Sequence, residues 1–361
     1  MSRRQFLGAT GLTAGLAFPA IVKAQSTFRW RLASSWPKSL DTIAGAADIV
    51  AKRVSAATNG KFEISVHGPG ELVPAFGVAD AVQQGSVECA HTSSVFFFGK
   101  DPTFAFDGAI PFGMTTRQTN GWMFDGGGLA LLRDFYKDYN IVNFPCGNTG
   151  AQMAGWFRKE IKSMADIKGM KFRSGGFGGL VWQRLGAVPQ NIPGGDIYPA
   201  LEKGTIDGAE FVGPYDDEKL GFHKIAKYYH YPSFVEPTGQ LTLYVNGKAW
   251  ESLPKEYQQI FEMACTQAHV ETQAKYDTRN PDALRRLVAA GALVRPFPRD
   301  ISMTAWKVTN ELFAELSATN PRWKKLFDHY MKYRDDQILW GRFSEGGFDS
   351  LMAAIRNNNA K

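Results

Sequence analysis

The chain has 361 residues, of which 44% are hydrophobic and 21% are charged, and its formal net charge is +6. This balance is that of an ordinary globular protein, and the length predicts one large domain or two medium ones. The positive charges form no basic stripe of the kind that a nucleic-acid interface requires, so nucleic acid is not expected as a partner.

The first 24 residues are predicted to be an export signal and not part of the fold. The segment "SRRQFL" places Arg3 and Arg4 ahead of Gln, Phe and Leu, which resembles a twin-arginine signal, and a small-residue cleavage site ends at Ala24. The apolar run over residues 6–22 is interrupted by Gly, Thr and Pro, so it is a poor membrane span. We therefore expect a periplasmic protein, with a chance run of basic residues as the alternative.

The mature chain opens with a strand, a helix and a second strand. Hydrophobic residues alternate in "TFRWRLASS" and again in "KFEISVH", which predicts two strands. Between them, "SLDTIAGAADIVAKRVSAATNG" predicts a helix that Ser39 caps and that Asn59-Gly60 ends. This order is typical of a parallel sheet with crossover helices and predicts the α/β class.

A repeated pattern predicts two lobes of similar build. Residues 81–91 ("AVQQGSVECAH") and residues 200–210 ("ALEKGTIDGAE") both read as a helix end, a glycine stop and a short strand. Coincidence of a common turn chemistry is the alternative interpretation.

Two loops predict crossings between these lobes, at "PCGNTG" (residues 145–150) and at "EPTGQ" (residues 236–240). A chain that crosses twice tends to form a hinge and a cleft, because neither lobe can leave the other. The expected division is residues 25–148 with 241–280 for the first lobe, and residues 149–240 with 281–300 for the second.

From Pro254 onward the chain is predicted to be largely helical, with one strand at "ALVRPF" and C-terminal helices over residues 301–361. An aromatic stripe at helix-face spacing lies in this part, and such a stripe usually packs on its own domain. It consists of Trp323, Phe327, Tyr330 and Arg334.

Cysteines and histidines give no sign of a metal site or of catalysis. No pair of cysteines has CxxC spacing, so buried free thiols are expected, with one disulfide as the alternative. The six histidines lack metal-ligand spacing, and no nucleophile signature accompanies them. The cysteines are Cys89, Cys146 and Cys265.

The stretch "GMKFRSGGFGG" (residues 169–179) raises the question of a phosphate-binding loop. Its glycines stand in the wrong order for a dinucleotide fingerprint, and no Gly-Lys-Ser/Thr follows, which argues against a nucleotide site. Arg173 is the better candidate, because it ends a predicted strand beside a predicted helix N-terminus, where an anion is favoured. Its guanidinium could hold a carboxylate through two bonds. A surface salt bridge is the alternative.

Several blocks resemble the solute receptors of tripartite ATP-independent periplasmic (TRAP) transporters, most closely the branch that binds 2-oxoacids. They are "DAVQQGSVECAH", "GNTGAQMAGWF", "DIKGMKFR" and "GGDIYPALEKGTIDGAEFVGPYDDEKLGF", and the resemblance covers essentially the whole mature chain. It implies a two-lobed periplasmic binding protein fold with a hinge and an interlobe cleft. It also implies delivery of a small organic acid to a membrane permease, no enzymatic activity, and a homodimer made through C-terminal helices.

The resemblance also implies site residues. The ligand carboxylate would lie on Arg173, helped by Gln152, and a bound cation would be held by Glu210, the Phe211 carbonyl and Glu236. The ligand would be a small 2-oxo monocarboxylate such as pyruvate.

Two departures from the branch leave the size and polarity of the ligand open. Phe211 stands where an oxoacid receptor often has Trp, and residues 96–98 are phenylalanines where tyrosines are expected. Whether these phenylalanines line the cleft is not decided by the sequence.

The balance of charges among the predicted site residues also supports a bound cation. Arg173 cancels one negative charge, whereas Glu210, Glu236 and the ligand would supply three, and a buried excess of carboxylates must be protonated or meet a cation. Oxygen ligands suit sodium or calcium, with sodium expected first. A 2-hydroxyacid such as lactate with calcium, or an amine-bearing solute, is the alternative ligand. A periplasmic enzyme acting on a small organic acid is the alternative class.

Overall fold

The computed structural model describes residues 27–359, so the predicted export signal lies outside the described residues. Two mixed sheets organise this part of the chain. Its strands are β1 (Phe28–Ser34), β2 (Phe62–His67), β3 (Cys89–Thr92), β4 (Ile141–Asn148), β5 (Gly155–Phe157), β6 (Lys171–Arg173), β7 (Val188–Gln190), β8 (Gly208–Ala209), β9 (Tyr228–Tyr231), β10 (Gln240–Asn246) and β11 (Leu293–Pro296).

Helices cover both sheets and form the C-terminal part, which confirms the α/β class with a helical extension. They are α1 (Gly45–Ala57), α2 (Val78–Gln84), α3 (Thr116–Phe124), α4 (Gly128–Tyr136), α5 (Met164–Ile167), α6 (Gly176–Arg184), α7 (Gly194–Glu202), α8 (Pro214–Leu220), α9 (Gly247–Ser252), α10 (Lys255–Ala289), α11 (Arg299–Thr319), α12 (Pro321–Phe343) and α13 (Glu345–Asn359).

The two sheets share one strand pattern. The first has the order β2-β1-β3-β10-β4, and the second has the order β11-β9-β5-β8-β6-β7. In each, three parallel strands (β2-β1-β3 and β7-β6-β8) are followed by an antiparallel one (β10 and β5). The repeated sequence pattern occupies equivalent places, as α2-β3 and α7-β8. In each repeat the helix is followed by a glycine with positive φ, Gly85 at 75° and Gly204 at 70°.

The chain passes between the two sheets close to the two loops at which the sequence predicts crossings. The first crossing covers residues 149–154, between β4 and β5, and the second covers residues 232–239, between β9 and β10. The first begins later than expected, because Pro145 and the three residues after it still belong to β4.

Helix α10 is 35 residues long and serves both sheets. Its Tyr257 and Phe261 pack in the core of the first sheet, whereas Tyr276 and Leu287 pack in the core of the second. The lobe boundary predicted between residues 280 and 281 falls inside this continuous helix, so the lobe ranges stay a prediction.

The predicted start of α1 is wrong. The helix begins at Gly45, and Ser39 does not cap it. The preceding residues form a turn whose side chains face the second sheet, where Thr42 donates to the buried Asp216 carboxylate at 2.5 Å and Asp41 pairs with Arg279 at 2.6 Å. These tertiary contacts hold the turn in place of a longer helix. The predicted helix end is close, because Asn59 has a positive φ of 50° after α1.

The aromatic stripe belongs to the core of its own chain. The Trp323 ring lies 4.6 Å from the Phe106 ring, centroid to centroid. The Met114 amide donates to the Tyr330 hydroxyl at 2.8 Å, and Trp323 and Tyr330 are buried. The stripe thus packs on segments of its own chain that precede β4, as its spacing predicts, and the homodimer through C-terminal helices stays a prediction.

The three cysteines are buried free thiols, as predicted. Among residues 27–359, no helix is both long enough and apolar enough to cross a membrane.

Two buried histidines link stability to pH. Burial lowers the pKa of His230 and that of His269 to about 4. His269 accepts from the Gly147 amide at 3.2 Å, and its other ring nitrogen lies 2.8 Å from Asn120 Oδ1, which suits the neutral ring. Since an unfolded histidine has a pKa of about 6.5, this stability is complete above pH ~6.5 and is lost as the pH falls toward 4.

The prediction is tested with His269→Gln, which preserves one donor and one acceptor but cannot be protonated. Between pH 6.5 and 4, its free energy of unfolding should fall less steeply than that of the wild type, by up to about 1.4 kcal/mol per pH unit. Urea unfolding at several pH values measures both slopes, and His67→Gln, at the half-buried end of β2, is the control. Equal slopes for His269→Gln and the wild type would contradict the assignment.

Candidate functional site

A cavity of about 30 Å³ lies where the two sheets and both crossings meet. It brings together all five residues that were singled out from the sequence. They occupy the first crossing, the carboxyl end of β6, the segment after β8 and the second crossing, and they are Gln152, Arg173, Glu210, Phe211 and Glu236. Ligands of open α/β sheets bind at such strand ends.

A buried ion pair joins β6 to the residue after β8. Arg173 Nη1 lies 3.0 and 3.2 Å from the two carboxylate oxygens of Glu210, and it also donates to the Glu210 carbonyl. Arg173 Nε donates to the Ile192 carbonyl at 3.0 Å. Each of the paired side chains is only 3% exposed, so neither charge has water to replace its partner. Arg173 Nη2 forms no hydrogen bond with the described residues and can donate to a ligand.

Glycine allows the first sheet to approach this pair. A Cβ on Gly176, the first residue of α6, would lie 2.5 Å from the carbonyl oxygen of Val95, and Gly176 has a φ of +56°. A side chain there would push the Val95 segment away from the start of α6. The glycines after Arg173 therefore serve close backbone approach, and not a nucleotide.

Glu236 adds a second carboxylate to the same cavity. Its side chain is half-buried and forms no hydrogen bond or ion pair with the described residues. Burial raises the pKa of Glu236 well above its usual value, the neighbouring Glu210 raises it further, and Arg173 opposes both. Burial likewise raises the pKa of Glu210, against the effect of Arg173. If both carboxyl groups were ionised, their charge would exceed that of the Arg173 guanidinium, and this is why the raised pKa values favour a proton or a cation here.

The residues present fit a hard cation only in part. The carboxylates of Glu210 and Glu236 are oxygen donors, and the Phe211 carbonyl accepts no hydrogen bond from the described residues. Within residues 27–359, no group of three or more His, Cys, Asp or Glu side chains is arranged to hold a metal ion. A cation in this cavity would therefore need oxygen atoms from a ligand to complete its shell.

Gln152 is fixed by both crossings. The backbone N–H of Gln152 donates to the Glu236 carbonyl at 3.2 Å, and its side-chain Nε2 donates to Thr149 Oγ1 at 3.2 Å. A Cβ on Gly239 would lie 2.4 Å from that Nε2, so the second crossing passes directly beside the side-chain amide of Gln152. The side chain thus lies in the cavity at the point where the two crossings meet.

The three consecutive phenylalanines have different surroundings. Phe96 lines the cavity, whereas Phe97 packs against Phe104 in the core, and Phe98 stacks on Phe177 with ring centroids 5.3 Å apart. Of the three phenylalanines that the sequence left open, Phe96 lines this cavity and the other two do not, because a 3-10 turn (Ser94–Phe97) points the side chains in different directions.

The sequence reasoning missed Trp36. This residue lines the cavity, it is 3% exposed, and its indole Nε1 finds no acceptor among residues 27–359. A buried donor without a partner is costly, so a ligand oxygen is a favourable acceptor here. The only signal in the sequence was its place directly after the first strand, where loops at sheet ends carry binding residues.

Comparison with known proteins agrees with this geometry. Residues 32–320 match the family model of bacterial extracellular solute-binding protein family 7 (DctP). The chain is 46% identical over 326 residues to the monocarboxylate 2-oxoacid-binding periplasmic protein of Nostoc sp., which covers 90% of this chain and 89% of that protein.

Solved structures of TRAP solute-binding proteins are also similar. A protein from Bordetella bronchiseptica, a dimer with copurified calcium and picolinate in one site, is 50% identical with a TM-score of 0.91 over 92% of this chain and 99% of its own. A protein from Pseudoalteromonas atlantica with bound sodium and pyruvate is 36% identical, with a TM-score of 0.87 over 90% and 99%. One from Colwellia psychrerythraea with calcium and pyruvate is 35% identical, with a TM-score of 0.87 over the same shares.

The two-sheet fold, the cavity between the sheets and these similarities agree with one another. The chain belongs to bacterial extracellular solute-binding protein family 7, and it is a periplasmic solute receptor of the TRAP type and not an enzyme.

Proposed function

We propose that this receptor binds a small 2-oxo monocarboxylate, such as pyruvate or a short homologue, together with a cation. The observation that carries the proposal is the composition of the cavity. Among the described residues that line it, Arg173 is the one basic residue, two carboxylates face it, and most other side chains are apolar. One guanidinium can hold one carboxylate. Within residues 27–359, no second cationic side chain lines the cavity to hold a distal carboxylate.

The ligand carboxylate would take the place that Glu210 now occupies on Arg173. The free Nη2 and the bound Nη1 of Arg173 form a fork that matches a carboxylate. Gln152 Nε2 and the unpaired indole N–H of Trp36 supply further donors in the same cavity. Arg173 would then have to release the Glu210 carboxylate, at least in part.

A cation gives that released carboxylate a new partner. The carboxylate and the 2-oxygen of the ligand form a five-membered chelate for a hard ion, and Glu210, Glu236 and the Phe211 carbonyl would complete its shell. With calcium, the charges of the ligand, the two carboxylates, Arg173 and the ion sum to zero. With sodium, the same balance requires one carboxylate to keep its proton. The relatives hold either ion.

The tail of the ligand would contact the apolar wall made by Phe96, Phe211 and Leu241. Picolinate, found in the relative from Bordetella bronchiseptica, carries a ring nitrogen next to its carboxylate. It can therefore form the same five-membered chelate as a 2-oxoacid, and its flat ring suits an aromatic wall.

A panel of acids tests this proposal in a thermal-shift assay with sodium or calcium present. Pyruvate, 2-oxobutyrate and picolinate should raise the melting temperature, because a ligand at a hundredfold excess over its dissociation constant stabilises by about 2.7 kcal/mol. Butyrate lacks the chelating oxygen and succinate carries an unmatched second charge, so both should have little effect. In chelator-treated, sodium-free buffer the stabilisation should disappear, and it should return when either ion is added.

Other results would indicate another ligand. Strong stabilisation by succinate, or equal stabilisation by butyrate and 2-oxobutyrate, would contradict the chelate. Undiminished binding without metal would favour an amine-bearing solute, and a preference for lactate with calcium would favour a 2-hydroxyacid.

Arg173 is the residue on which affinity should depend most. Arg173→Ala leaves the bound anion without its counter-charge and should weaken binding by roughly 2–5 kcal/mol. Arg173→Lys should recover only part of this, because an ammonium group lacks the planar fork. Titration calorimetry measures both, and Arg184→Ala, which removes an exposed arginine of α6 paired with Glu315, is the control. An affinity for Arg173→Ala close to that of the wild type would disprove the clamp.

We also propose that the receptor forms a homodimer and delivers its ligand to a TRAP permease. The end of α12 and the length of α13 expose an apolar tail face in which Phe343 is 77% and Phe348 is 62% exposed. Its other members are Trp340 and Leu351. Contiguous apolar surface of this kind marks an interaction site, and the relative from Bordetella bronchiseptica is a dimer.

Light scattering of the mature protein at micromolar concentration should give about twice the mass of the chain. Phe343→Asp combined with Phe348→Asp should shift it to a monomer, because two charges cannot be buried against an apolar partner. Val270→Asp is the control, since Val270 is an exposed apolar residue of α10 outside the tail face. A wild-type protein that is monomeric at this concentration would contradict the homodimer.

A further inference from the structure

A second cavity lies on the other side of Phe96. It has a volume of about 240 Å³, against about 30 Å³ for the candidate ligand cavity. Both cavities are lined by Val95 and Phe96, and only the second reaches Phe98 and Leu180. The boundary between the small ligand cavity and this larger, more open one is therefore made by the 3-10 turn that carries these phenylalanines, together with the backbone of residues 174–176.

The Phe96 ring is the part of this boundary that a substitution can remove. It is held between Trp36, at 5.4 Å between ring centroids, and Phe76, at 4.7 Å. Opposite the turn, a Cβ on Gly175 would lie 3.8 Å from the Phe96 ring, so the ring reaches the backbone that follows Arg173. Phe96 is half-buried and lines both cavities.

We propose that Phe96 sets the longest tail that the ligand can carry, and that the cavity beyond it is the space that a longer apolar tail would occupy. This inference rests on the proposed function, since it takes Arg173 as the anchor of the carboxylate. A cavity of about 30 Å³ holds only a few water-sized groups, so a tail that starts at Arg173 meets the ring after a short distance.

The second cavity suits an apolar tail. The side chains of Phe98, Leu180 and Pro189 line it, and Ser174 and Asn191 are polar but uncharged. Among residues 27–359, no charged side chain lines it. A straight-chain 2-oxoacid of medium length is thus the chemical class that the enlarged site would accept. The gain should follow the apolar surface that the tail buries.

Titration calorimetry with pyruvate, 2-oxovalerate and 2-oxooctanoate, in the presence of calcium, tests this assignment. In the wild type, affinity should be lower for 2-oxooctanoate than for the shorter acids. In Phe96→Ala, the ratio of the affinity for 2-oxooctanoate to that for pyruvate should rise at least about tenfold, the effect of burying roughly two methylene groups. Phe96→Trp should have the opposite effect: the larger ring should lower the affinity for 2-oxovalerate relative to the affinity for pyruvate.

Phe98→Ala is the matched control. It also removes a phenyl ring, but this ring lines the second cavity and not the ligand cavity. Its affinity ratio should equal that of the wild type. Circular dichroism establishes that each variant is folded, and Phe96→Trp keeps the test decisive if Phe96→Ala does not fold.

The possible results separate this inference from the proposed function. If the wild type binds pyruvate but the Phe96 variants keep its chain-length profile, the assignment of Phe96 is wrong and the proposed function stands. A wild type that binds 2-oxooctanoate as tightly as pyruvate would overturn the assignment as well. If the wild type binds none of the 2-oxoacids, the proposed function is wrong and this inference falls with it.

Discussion

The ion pair between Arg173 and Glu210 is the constraint on which the site depends. Both side chains are buried, their atoms approach to 3.0 Å, and a second carboxylate on Glu236 lies in the same cavity. Removing one partner of such a pair leaves an uncompensated buried charge, which costs roughly 3–5 kcal/mol. An anion can therefore take Arg173 only if something else takes Glu210. In the proposed complex, the cation takes this place beside Glu210.

The fold creates the pair and limits access to it. Parallel strands β6 and β8 end side by side, which places Arg173 next to the residue after β8, and the two crossings add Gln152 and Glu236. The wall opposite comes from the first sheet, through Trp36 and the turn before Phe97. Because the cavity contains residues from both sheets, it is complete only while the two sheets lie together. A receptor built in this way can couple ligand binding to closure without a separate regulatory element.

Local patterns predicted much of this fold. Alternation located β1 and β2, and the repeated helix-glycine-strand pattern located equivalent units in the two sheets, because both signals depend on neighbours in the chain. Long-range contacts were not visible. The turn before α1 is held by Asp216 and Arg279, far away in the sequence, so the cap assigned to Ser39 was wrong. The aromatic stripe was predicted correctly as a packed face, because helix-face spacing is also a local signal.

The site, like the fold, could be predicted only in part from the sequence. The strand-end position of Arg173 was visible in the sequence, and the resemblance supplied the remaining residues that the structure gathers in one cavity. Trp36 and the separate role of Phe96 were not visible, since each depends on which side chain faces the cavity and which lacks a partner.

A crystal structure of the receptor with pyruvate and calcium would test the exchange of partners most directly. The account predicts that the Arg173 guanidinium holds the pyruvate carboxylate, and that the ion lies between the ligand and the carboxylate of Glu210. A complex in which Arg173 and Glu210 keep their present distance of 3.0 Å, with the acid bound elsewhere or without an ion, would contradict it.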